Sequence, residues 1–228
     1  MKNRCRPYSL VVSLLAAAVL AGCGAGGPMA SAPAPKPMGF FLTSANPGQG
    51  GNFGGLAGAD RYCQSLAASA GGGARTWRAY LSNSAMGASP AVNARDRIGK
   101  GPWVNAKGEQ IASSVDDLHG PNNKLNKQTA LTEKGAIISG RGDPVNLHDI
   151  LTGSTDDGRA ISDGKDNTCG NWTKSGEGSA IVGHHDRVGL NDSPPSKSWN
   201  ASHPKQGCSM DALKSTGGGG LLYCFAQN

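Results

Sequence analysis

Four cysteines, Cys63, Cys169, Cys208 and Cys224, constrain the fold of this 228-residue chain more than any other feature. Two further cysteines, Cys5 and Cys23, fall in an N-terminal stretch that reads as an export signal. Lys2, Arg4 and Arg6 make a positive start, Leu10 to Leu20 is an apolar run too short to span a bilayer, and small residues follow. In an exported protein an even set of cysteines predicts two disulfides, and four cysteines allow three connectivities. None of them forms a Cys-x-x-Cys pair, which removes zinc-ribbon and thioredoxin-type readings.

Residues 1–22 are thus expected to be a signal peptide. Leu20-Ala21-Gly22-Cys23 resembles the bacterial lipobox, which implies cleavage before Cys23 and acylation of its thiol, palmitate included. Gly24 stands where an aspartate would retain such a protein in the inner membrane, so the expected address is the outer membrane of a bacterial envelope. Residues 23–38, rich in Gly, Ala, Ser and Pro, cannot bury a core and read as a tether. Residues 39–228 are long enough for one substantial core, and the membrane is met through the lipid anchor only.

The formal charge of +6 falls to +3 once Lys2, Arg4 and Arg6 leave with the signal. No basic block interleaved with aromatics remains, so nucleic acid is not an expected partner. No Gly-x-Gly-x-x-Gly turn or phosphate-binding Gly-x-x-x-x-Gly-Lys-Ser/Thr loop occurs, and no cofactor is expected.

Leu56, Ala59, Cys63, Leu66, Ala67 and Ala70 recur at spacings of three and four, predicting a helix that buries Cys63, with Asp60, Arg61, Gln64 and Ser65 off that face. Gly71, Gly72 and Gly73 end it. Trp77, Ala79 and Leu81 then alternate with Arg78, Tyr80 and Ser82 as in a strand. Strands are also expected at 39–44, 136–139, 149–151 and 221–225, with a hairpin turning at Lys107-Gly108 and a short helix capped near Ser114.

The order Gly58-Ala59-Asp60 with Cys63, Thr76-Trp77-Arg78-Ala79-Tyr80-Leu81-Ser82, Ala94-Arg95-Asp96-Arg97, Gly153-Ser154 with Gly158-Arg159, Cys169 with Trp172, and two late cysteines resembles the endostatin domain of collagens. The similarity runs from about Phe40 to Phe225. It implies an α+β, C-type-lectin-like fold: a twisted antiparallel sheet with flanking helices, long loops and two disulfides, Cys63 with Cys224 and Cys169 with Cys208. Endostatin's zinc ligands lie mostly near its N-terminus, and no histidine precedes His119 here, so that site does not carry over. Ala57 occupies the place of a heparin-binding arginine.

The expected function is a non-enzymatic envelope binding module that meets a glycan or protein ligand on the loops between Cys169 and Cys208, with Asp192, Trp199, Asn200 and His203 as candidate ligand-binding residues. Trp199-Asn200 resembles the start of the Trp-Asn-Asp of calcium-dependent lectins, but Ala201 replaces the aspartate. The alternatives are a structural envelope protein and a metal-dependent enzyme built on His184, His185 and Asp186. Adjacent strand residues point to opposite faces, so those three need a turn to converge. Asp156, Asp157, Asp163, Asp166 and Asn167 read as a solvated acidic loop, since their spacing is not that of a calcium loop. Arg141-Gly142-Asp143 spells an integrin-type tripeptide that chance supplies readily. No serine-nucleophile elbow or His-Glu-x-x-His motif is present, and no catalytic residue is assigned.

Overall fold

A computed structural model describes residues 37–227; the expected signal peptide, Cys23 and nearly all of the tether lie outside the described residues. The domain is a mixed α+β structure organised around its last strand. That strand, β8 (Gly218–Ala226), alternates Leu221, Tyr223 and Phe225 into one apolar cluster with Leu222, Cys224 and Ala226 into another, so both its faces are buried. The strands β1 (Phe40–Leu42) and β2 (Trp77–Ala79) pair antiparallel with its C-terminal half. Its N-terminal half pairs with β5 (Asp149–Leu151), which continues through β6 (Ile181–His184) to β7 (His203–Pro204). The β5–β8 pairing is parallel, so the sheet is mixed rather than antiparallel throughout. The hairpin of β3 (Trp103–Val104) and β4 (Gln110–Ala112) stands apart, with Gly108 at φ 80° in its turn.

Helix α1 (Gly55–Ser69) buries Ala59, Cys63 and Ala67 against the sheet, and Gly71 follows it at φ 81°. Cys63 reaches across to Cys224, and Cys169 bonds Cys208. Asp60, expected off the covered face, is buried as well. Arg97 grips both its carboxylate oxygens at 2.8 and 2.7 Å, Arg78 adds a contact at 2.8 Å, and the Ala79 N–H donates at 3.0 Å.

Helix α2 (Val115–His119) is capped by Ser114, whose side chain accepts from Asp117 N. Residues 136–139 are not a strand. The Thr132–Gly135 turn folds the segment back on Leu131 through one isolated bridge, leaving Ile137 exposed. Beside the second disulfide, the turn α3 (Cys169–Trp172) runs left-handed, with φ of 49, 60, 57 and 66°. Helix α4 (Met210–Ser215) leads into β8. Among the described residues no helix is long and apolar enough to cross a membrane.

Candidate metal centre

Cross-strand partners share a face of a sheet, and Asp149 on β5 is paired with His184 on β6. His203 on β7 is paired with Val182, two residues from His184 and therefore on that same face. His148 joins them where the β5–β8 register shifts between Asp149 and Ile150. Two glycines allow the close packing this needs. A Cβ on Gly183 would strike the Trp199 carbonyl, and one on Gly218 would strike the Leu213 carbonyl beside Asp149 and Lys205.

Three imidazole nitrogens converge on one carboxylate oxygen. Asp149 Oδ1 lies 3.2 Å from His148 Nε2, 3.2 Å from His184 Nε2 and 3.4 Å from His203 Nε2. His148, His184 and Asp149 are buried, and His203 stands at the mouth with about a third of its side chain exposed. The opposite ring nitrogens are already engaged. Nδ1 of His184 faces the Ser196 carbonyl at 2.7 Å, Nδ1 of His203 the Pro204 carbonyl at 3.1 Å, and Nδ1 of His148 the Asp186 carboxylate at 3.3 Å. Such acceptors suit a proton on Nδ1, which leaves the Nε2 lone pairs for a metal ion; without an ion, an Nε2–H donates to Asp149 instead. Asp149 Oδ1 and His184 Nε2 are left without a hydrogen bond.

The other carboxylate oxygen is held by Lys205, whose buried ammonium lies 2.5 Å from Oδ2 and 2.8 Å from the Leu213 carbonyl, with Thr216 Oγ1 alongside. Burial pushes the Asp149 carboxyl up, but the imidazoles of His184 and His203 and the Lys205 ammonium outweigh it and hold the group well below the usual carboxylate range. Asp186 is held near 2 against burial, by His148 and the N–H groups of Arg141 and Val188. Above the cluster opens a cleft of about 550 Å³, lined by Arg141, His148, His184, Ser202 and His203 among others.

Of the residues singled out in the sequence, His184 and His203 reach this cluster and Asp186 orients His148 from behind. His185 turns away toward the Ser139 carbonyl at 3.3 Å. Asp192 is exposed and paired with Lys197 at 2.6 Å. Trp199 packs in the core against Tyr80 and Tyr223. Asn200 is buried, its amide donating to Tyr80 Oη at 2.9 Å and to the Thr155 and Asp156 carbonyls. Tyr80 Oη also meets His119 Nε2 at 2.7 Å, so Tyr80→Phe is expected to cost about 1–2 kcal/mol in urea unfolding by stripping two buried partners. The acidic loop is internally satisfied: Asp163 by Asn167, Asp166 by Lys174, Asp157 by Arg159. The sequence reading missed His148 and Asp149. The adjacent His-Asp pair at the head of an expected strand was the available signal.

No protein-family model matches this chain, and no curated protein matches it either.

Proposed function

We propose that the chain is a lipid-anchored envelope binding module whose working part is a divalent metal centre, with zinc held by His148, Asp149 and His184 and completed by His203 at the mouth. One observation carries this reading: ligand atoms of His148, Asp149 and His184 all lie within 4.8 Å of one another, Nε2 of His148, His184 and His203 stand 3.2–3.4 Å from Asp149 Oδ1, and Asp149 Oδ1 and His184 Nε2 have no hydrogen bond. Tetrahedral zinc, with bonds of about 2.0–2.1 Å, sets its ligand atoms about 3.3 Å apart. His148 and His184 stack with ring centroids 4.1 Å apart and planes 12° from parallel, so protonating both would press two cations face to face. Imidazole and carboxylate donors, with every ring's far nitrogen tied to an acceptor, suit zinc and its borderline neighbours. The C-type-lectin-like, endostatin-like reading of the fold is supported by the two disulfides, which join the cysteines that the resemblance pairs.

Metal titration of the full chain by calorimetry, with elemental analysis, tests the reading. One zinc per chain is expected. Asp149→Asn should lose more affinity than the 10–100-fold that removal of an outer hydrogen-bond partner costs. His203→Ala, at the exposed mouth, should bind the same single ion more weakly. A wild-type chain that takes up no stoichiometric zinc overturns the proposal.

A further inference from the structure

We propose that the ligand met by this centre is an oxyanion, bound between the metal and the guanidinium of Arg141 on the cleft rim. The inference rests on the metal reading above and adds the chemistry of what the metal holds.

Among the described residues the cleft walls carry Arg141 and no carboxylate. Asp149 and Asp186 stand behind the histidines, buried and turned to their own partners. Arg141 is anchored at its base: its backbone N–H donates to Asp186 Oδ2 at 2.7 Å, the same carboxylate that orients His148. Its residue position is thereby tied to the centre, while its side chain is exposed and has no acidic partner among the described residues. Asp143, two residues on in the Arg-Gly-Asp tripeptide, is taken by Lys127 at 2.6 Å and by the Gly140 N–H at 2.8 Å. The tripeptide is thus split, its aspartate committed to the fold and its arginine offered to the cleft.

Charge balance points the same way. Lys205 offsets Asp149, and a divalent ion exceeds the single charge of Asp186, so the loaded centre is positive before Arg141 is counted. A cleft with a metal at its floor and a planar, forked cation on its wall favours a group that offers one oxygen to each. Carboxylate and phosphate share that chemistry. With four protein donors in place the oxygen enters as a fifth ligand, and His203, the most exposed of the four, borders the side from which it comes.

Cobalt(II) substituted into the full chain gives the readout, since zinc is spectroscopically silent. Inorganic phosphate and acetate, titrated separately, should each shift the visible cobalt bands saturably, and the tighter of the two identifies the preferred oxyanion. Arg141→Gln, a change at an exposed side chain, should leave cobalt uptake intact and weaken the tighter anion about tenfold. Bands that neither anion moves, or equal anion affinity in Arg141→Gln, overturn this inference and leave the metal centre standing. Absence of any cobalt spectrum removes the metal centre itself, and this inference with it.

Discussion

Replacing Cys63 and Cys224 together by serine is expected to lower the unfolding free energy by about 5 kcal/mol in the chain-entropy treatment, because the bridge closes a very long loop. The two cysteines are 161 residues apart, against 39 for Cys169 and Cys208. The structure makes the outer bridge the more consequential one. Strands β1, β2 and β5 all pair with β8, and Cys63 fastens β8 to α1 on the opposite side from Tyr223 and Phe225. Freeing that strand loosens both apolar clusters at once. Urea unfolding of the double variant should show a lower midpoint, and limited proteolysis under native conditions should cut α1 and the C-terminal strand first. A midpoint matching wild type would refute this account. Breaking the inner bridge should cost about 1 kcal/mol less by the same treatment, since the cost rises only with the logarithm of loop length.

The elements around Cys63 were legible because their information is local. Apolar residues at spacings of three and four, a glycine stop and a two-residue alternation specify α1 and β2 without reference to the rest of the chain. Asp60 was misread because its burial depends on Arg97, brought in from a turn 37 residues away. A carboxylate leaves the solvent only where a partner arrives, and periodicity does not report partners. Residues 136–139 failed for the converse reason. Their apolar run has strand character, but among the described residues it makes only an isolated bridge to Leu131, and Ile137 faces solvent. The parallel β5–β8 pairing is likewise a property of the tertiary path.

The centre shows the same division more sharply. His184 stood out beside His185 and Asp186, yet neighbours in a strand diverge, and His184 alone of the three reaches the cluster. Its companions come from positions 148, 149 and 203, united by the registers of three short strands that no single-sequence pattern encodes. The expectation that function lies between Cys169 and Cys208 is compatible with this arrangement, since His184 and His203 both fall in that interval, but two of the four donors lie outside it.

Lys205→Met joins the centre to the stability of the domain. Lys205 is buried, and its ammonium holds Asp149 Oδ2 at 2.5 Å. Burial lowers the pKa of this lysine while the carboxylate opposes that shift, as expected for a pair removed from water together. Methionine keeps most of the volume and removes the charge, leaving Asp149 buried without its cation. Breaking a buried pair in this way costs about 3–5 kcal/mol. His203, whose affinity for a proton is raised by its hydrogen bond to Asp149, can take one in place of the ammonium, which places the metal-free loss near the lower end of that range. A divalent ion on Oδ1 supplies the missing positive charge directly. The variant should therefore be recovered by zinc more than wild type is: saturation at one hundred times the dissociation constant is worth about 2.7 kcal/mol to any single-site protein, and the variant gains further because its centre binds the ion more tightly. Unfolding curves of wild type and Lys205→Met, with chelator and with excess zinc, give four midpoints. Convergence of the two proteins on adding zinc is the expected result. A gap that zinc leaves unchanged would mean that Asp149 and Lys205 are a structural ion pair with no ion to share.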